Sequence, residues 1–320
     1  MPDPRRHRLK AVLGITASVA IAALALYVLY RTFQRISVAD VIANMRAMPR
    51  DRLLVAAACA AGAFATLAAY EVAAVRYVKR GIGRAKPVIT ALVAFPLGHA
   101  LGQTMLSGGA LRYRMYSPAG FSATEVGATV LMAGLPYLLA FGLLFDLALV
   151  FGAERLAPLF RLSSGWLLAL GLLGLAKDLG YLAFVRLRKA PIRLGGWAVR
   201  VPSLGMTALQ ILVGTLDIIL VSSVLYLLLP ASAEIAFLPF VAVYLASVLV
   251  GVLSHVPAGL GVLESMLLLL LPHMPPAELL AAVLLYRVIY EIVPVLLALA
   301  LWGTFELGSR HGAWRRLLRR

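Results

Sequence analysis

Charged side chains stand inside segments that are otherwise hydrocarbon. Lys177 and Asp178 are adjacent in an apolar run at 163–185, Asp217 sits near the middle of 205–229, and Glu264 lies in a short run at 259–271. Arg287 and Glu291 are four residues apart within 279–304. An ionisable group at a bilayer centre costs about 2.5–3.5 kcal/mol on insertion scales, so each must meet a partner or a watery cavity. Arg287 and Glu291 share a helix face and suit an i, i+4 ion pair that holds the helix, or a polar lining. Asp217 has no basic residue within a helical turn. It is expected to face a cavity, or to be met by Lys177 or Arg287 from another helix. Glu71 and Asp146 lie nearer the ends of their runs, where a solvated or capping role is as good a reading.

Two glycine-rich stretches interrupt the apolar pattern. In LSGGALRYRMYSPAGFS, 106–122, Gly108 and Gly109 let backbone approach closely, and Arg112 and Arg114 offer planar forks that suit a phosphate. Tyr113 and Tyr116 suit the headgroup level. The same stretch also reads as an ordinary interfacial loop with anchoring arginines. In LSHVPAGLGVLESMLLLLL, 253–271, Pro257, Gly259 and Gly261 leave backbone groups unpaired, which lipid does not tolerate unless protein or a water-filled cavity receives them. Here the plain alternative is a helix-breaking turn at the membrane surface. Gly98 and Gly102 form a G-x-x-x-G pair that reads as helix packing. His99 and His255 could carry protons, but no H-E-x-x-H, G-x-S-x-G, Walker or G-x-G-x-x-G motif accompanies them, and Cys59 is the one cysteine. No catalytic, cofactor or metal-binding residue is assigned.

The elements that position these groups follow from composition. With 62% apolar and 14% charged residues, the 320-residue chain could not cover a soluble surface of this size. Runs near 11–30, 53–75, 88–106, 123–150, 163–185, 205–229, 236–254 and 279–304 are each long enough to cross a bilayer core of about 30 Å. The expected fold is all-α: one integral membrane domain over 1–320, a polytopic bundle of about eight spans with one or two broken or re-entrant helices. The run 259–271 is a half-helix, and 11–30 reads as an uncleaved anchor. The longest stretch outside the runs, 31–52, is too short for a separate catalytic domain. Ser122 with Glu125 forms a capping-box signature, and Pro275 with Pro276 opens the last span. His99 and His255 each precede a broken stretch and then a glutamate-opened helix, a hint of two related halves with a site between them.

Thirty Lys and Arg against 14 Asp and Glu give a net charge of +16. The cations sit mostly between apolar runs, as in loops on an anionic leaflet, so nucleic acid is not the expected partner. If every run crosses, the cations divide 16 to 12 between the two sides. If 88–106 re-enters from the cytoplasm and 259–271 completes a crossing, the division is 21 to 7. Both arrangements place the termini in the cytoplasm under the positive-inside rule.

Taken together, GHALGQTMLSGGALRYRMYSPAGFSATEV at 98–126, the stretch 253–271 and ELLAAVLLYRVIYEIVP at 278–294 resemble the membrane domain of the lysylphosphatidylglycerol synthase and flippase family, the multiple peptide resistance factors. That family joins membrane bundles to a cytosolic aminoacyl-transferase domain. With the sequence ending at Arg320, the resemblance implies a stand-alone bundle in a bacterial cytoplasmic membrane and argues against tRNA-dependent synthesis. It implies that Arg112 and Arg114 contact a lipid phosphate and that Glu264 and Arg287 line the opposite side. The expected activity is translocation of a phospholipid or aminoacylated phospholipid, with Asp217, Glu264 or Glu291 accepting any cationic part. A non-transporting scaffold that partners a separately encoded lipid-modifying enzyme is the alternative, and a membrane-embedded transferase is a third.

Overall fold

The structure, a computed structural model, describes residues 37–78, 81–102, 104–188, 192–194, 197–199 and 201–310, with Tyr27, Tyr30 and Gln34. Most of the expected first span, 11–30, lies outside the described residues. A short helix α1 (Val38–Ala47) precedes the long α2 (Arg50–Val78). Then come α3 (Ala85–Ala100), α4 (Thr104–Tyr116), α5 (Ala123–Phe160) and α6 (Ser164–Leu187). A two-stranded antiparallel hairpin, β1 (Ile192–Leu194) with β2 (Trp197–Val199), leads into α7 (Leu204–Leu228). The chain ends with α8 (Phe237–Ser254), α9 (Val262–Leu270), α10 (Pro276–Tyr286), a π-helical segment at Arg287–Ile292, and α11 (Val293–Arg310).

Local chemistry sets several boundaries. Ser37, Ser122, Ser163 and Ser203 accept from backbone N–H groups of the first turns they precede, and Glu125 completes the capping box on Ser122. Pro294 lies just beyond the π segment. Its ring would collide with the carbonyl four residues back in an α-helix, and the wider π turn relieves that clash.

Six helical stretches among the described residues are long and apolar enough to cross a membrane: α2, α5, α6, α7, α8 and the continuous run from Pro276 to Glu306. The run 88–106 departs from the expected span. Helix α3 stops at Ala100, Gly102 takes φ +77, and the chain reverses into α4. At about 1.5 Å per residue α3 measures roughly 24 Å, short of a bilayer core. The G-x-x-x-G pair is thus divided: Gly98 packs within α3, where its carbonyl accepts from Ser107, while Gly102 makes the turn.

Contacts fix which ends lie together. Arg52 donates to the Leu229 carbonyl, and His273 sits 3.1 Å from the Ala233 carbonyl, so the start of α2, the end of α7, the start of α8 and the end of α9 share one face. Val75, Tyr116, Phe121 and Val126 cluster with Val78 and Ile82 at the opposite face. Helices α3 and α4 therefore form a hairpin that enters from and returns to the second face. Helices α8 and α9 form one that enters from and returns to the first, so the run 259–271 closes a hairpin beside the residues where α8 began. The order span, hairpin, span occurs twice, as α2, α3–α4, α5 and as α7, α8–α9, α10–α11, with opposite entry. The paired histidines hinted at two related halves, and an order that recurs with opposite entry is the pattern of an inverted repeat.

The two tips touch. A Cβ on Gly102 would lie 2.7 Å from the Pro257 Cα. Around them the core is close-packed: Ala56, Ala60 and Ala63 give α2 a small-residue face, and a Cβ on Gly214 of α7 would fall 2.1 Å from the Pro136 carbonyl oxygen of α5. Helix α6 buries only Leu167, Gly171 and Val185, and presents most of its leucines outward, as a lipid-facing helix does.

Candidate functional site

The loop from His255 to Gly261 carries left-handed backbone at His255, Ala258, Gly259 and Gly261. Such a reversal turns carbonyls inward, and a non-glycine residue held there costs on the order of 1–2 kcal/mol. Arg287, nearly fully buried on the π segment, receives those carbonyls: Nη1 donates to Ala258 at 3.1 Å and Nη2 to Gly259 at 3.2 Å. Its Nε and Nη2 grip both carboxylate oxygens of Glu264 on α9, the latter at 3.0 Å, and Nη1 donates to Glu291 at 2.7 Å. All five guanidinium protons are used. Glu291 also lies 3.9 Å from Nε2 of His99 at the end of α3. One group of side chains thus ties the second hairpin, the π segment and the tip of the first hairpin together. Its rim is open at His99, whose side chain is 54% exposed, and its interior is closed at Arg287.

The first hairpin has its own clamp. Arg112 on α4 donates through Nε and Nη2 to Glu71 on α2 at 2.8–3.0 Å, and through Nη1 to the Gly108 carbonyl. Tyr116 adds its hydroxyl to the same carboxylate at 2.9 Å, and the Phe95 ring lies 4.6 Å under the guanidinium. The fork read as open to a lipid phosphate is filled by Glu71 and 2% exposed. Glu71, read as a solvated or capping residue, is fully buried because α2 continues past it to Val78. Arg114 is half-exposed at the second face and pairs with Glu306 of α11 at 2.8 Å.

Asp217 is 2% exposed and meets neither Lys177 nor Arg287. The Thr66 hydroxyl lies 2.7 Å from its Oδ1, and the Tyr70 hydroxyl is beside it. Lys177 instead pairs with Asp146 at 3.3 Å and with its neighbour Asp178 at 3.1 Å, in a space that Gly142 and Gly174 leave open. Asp146 is therefore a buried partner on the long α5, where the sequence suggested a span end.

The charges predicted to line one pocket fall into separate groups. Glu264, Arg287 and Glu291 converge, with His99 added. Arg112, Arg114 and Asp217 each stand elsewhere. Tyr290 is the neighbour of Glu291 on the π segment. It stacks on Tyr286, whose hydroxyl lies 2.9 Å from that of Tyr244. A separate recess of about 540 Å³ at the first face is lined by Arg52, Tyr226, Leu229, Pro230 and Glu234, and includes none of the predicted site residues. No group of three or more metal-ligating side chains occurs among the described residues.

Residues 15–298 match the family described as the lysylphosphatidylglycerol synthase TM region. The chain is similar to an uncharacterized protein of Synechocystis sp., with 29% identity over 278 residues covering 87% of this chain and 86% of that protein. It is similar to the inner membrane protein YbhN of Escherichia coli, with 27% identity over 295 residues and 89% of each chain covered. The phosphatidylglycerol lysyltransferase of Staphylococcus haemolyticus shares 37% identity over 101 residues, 31% of this chain and 12% of that protein.

Proposed function

The chain belongs to the lysylphosphatidylglycerol synthase transmembrane-region family and is an integral membrane protein, and from that premise we propose that it translocates a phospholipid across the bacterial inner membrane. The supporting observation is two helical hairpins of opposite entry whose tips meet at Gly102 and Pro257, beside a buried Arg287 with an open rim.

In this reading the headgroup enters at His99 and reaches the Arg287–Glu291 bond, the more exposed of Arg287's two ion pairs. A lipid phosphate replaces Glu291 on Nη1, while Glu264 keeps its two-point grip and holds the fork in place. The released Glu291 carboxylate pairs with an ammonium on the headgroup, as an aminoacylated phospholipid carries. The phosphate and the ammonium enter together, so the exchange leaves the net charge of the site unchanged. Acyl chains stay outside along the exposed Val252, Leu253, Leu260, Leu296 and Leu297. Rocking of one half against the other then opens the tips to the opposite face. Arg112 and Glu71 position the first hairpin, and Arg114 meets headgroups at its face.

The test is purified protein in liposomes carrying a fluorescent phospholipid, with an impermeant quencher outside. Arg287→Lys keeps the charge and loses the fork, and Glu291→Gln loses the exchangeable carboxylate. Both are expected to slow lipid movement at least about tenfold, the effect of some 1.4 kcal/mol at one step, with the fold retained. Wild-type rates in both would overturn the assignment.

A further inference from the structure

Asp217 differs from the other buried carboxylates in having hydroxyls where they have guanidinium or ammonium groups. The proton count around it is informative. The Thr66 hydroxyl lies 2.6 Å from the Ala63 carbonyl oxygen and 2.7 Å from Asp217 Oδ1. One hydroxyl carries one proton and cannot donate to both. If it donates to the carbonyl, which has no proton to give, the second short contact needs a proton on the carboxyl of Asp217. The Tyr70 hydroxyl, shared between Asp217 and the Val213 carbonyl at 3.4 Å, leaves the same room for a neutral acid.

Helix α7 continues this polar line. Gln210 and Thr207 lie about two and three turns before Asp217, are 4% and 0% exposed, and have no partner for Oε1 and Oγ1 among the described residues. Buried polar atoms of this kind are normally met by water. Between them and Asp217 stands Gly214, whose face is filled by the Pro136 carbonyl of α5. The line covers about 15 Å of helix and ends near Leu204, at the face where α3 and α4 enter. The titratable groups facing Asp217 are Tyr70 of α2, Tyr137 of α5 and Tyr290 of the π segment.

We propose that Asp217 is a proton-binding site, filled from that face when α5 and α7 part at Gly214 and admit water held by Thr207 and Gln210. Proton binding stands by itself. Its use in driving lipid movement rests on the translocation reading.

Infrared difference spectra of the reconstituted chain between acidic and alkaline buffer test the site. Beside the bands of solvated carboxyls, one high-frequency carbonyl-stretch band of a protonated carboxyl held away from water is expected in wild type, lost in Asp217→Asn and shifted in Thr66→Val. Should Asp217→Asn not fold, the Thr66→Val shift decides alone. Identical spectra in wild type and variants would overturn the site. A band that responds to exchanging sodium for choline at fixed pH would also overturn it, in favour of a sodium site. In the liposome assay a pH gradient is expected to accelerate wild-type lipid movement, and the ratio of rates with and without the gradient to fall to one in Asp217→Asn. A wild-type chain that moves no lipid yet shows the band would remove the translocation reading and leave the proton site standing.

Discussion

Glu71 and Arg112 are partners separated by 41 residues and almost wholly buried. Removing one leaves the other charge stranded, a loss of about 3–5 kcal/mol, whereas removing both strands neither. Glu71→Ala and Arg112→Ala are each expected to lower the unfolding midpoint in detergent strongly, and the double variant to lose clearly less than the sum. Additive losses would show that the clamp does not hold the hairpin. At this scale the sequence was partly readable. Arg287 with Glu291 was visible as an i, i+4 spacing, and the cost of insertion marked Asp217 and Glu264. The partners of Glu71, Asp146 and Asp217 were not visible, because each comes from another helix and no local spacing records it. Thr66 and Tyr70 gave no signal at all, since a hydroxyl in an apolar run is inexpensive.

The turn at Gly102 is the element on which the first hairpin depends. Its φ of +77 and its contact with Pro257 both require the absence of a side chain. Gly102→Ala is expected to cost about 1–2 kcal/mol from backbone strain, plus the displacement of Pro257, and to lower the melting temperature. Gly205→Ala, where a Cβ meets nothing within 4 Å, serves as the control and is expected to be neutral or stabilising by up to about 1 kcal/mol. Equal effects in both would contradict the packing of the tips. The spans of 53–75, 123–150, 163–185 and 205–229 were legible because length and hydrophobicity suffice for a simple crossing. The run 88–106 was harder, since periodicity cannot distinguish a helix that crosses from one that turns back.

For the whole molecule, the hairpin topology puts the same loops on each side as the 21-to-7 division of basic residues, although 259–271 closes a hairpin instead of completing a crossing, and by the positive-inside rule we propose that the second face is cytoplasmic. Single cysteines in a Cys59→Ala background test it. One at Arg188 is expected to react with an impermeant maleimide only after the membrane is opened from inside, and one at the exposed Ser232 in intact cells. The reverse pattern would invert the protein and the direction of its proton path. The inverted repeat itself was visible only as two histidines at similar offsets, because the halves share geometry while their ion pairs run in opposite polarity: Arg112 lies on its hairpin, whereas Arg287 lies on the span. The central claim is that separation of the two tips admits the lipid. Cysteines at Leu101 and Val256, which flank the Gly102–Pro257 contact, can be bridged with a bismaleimide in the same liposomes used for lipid movement. Bridged protein is expected to leave inner-leaflet lipid unreachable while each single-cysteine protein treated with the reagent still exposes it. Equal exposure in bridged and unbridged protein would contradict the account.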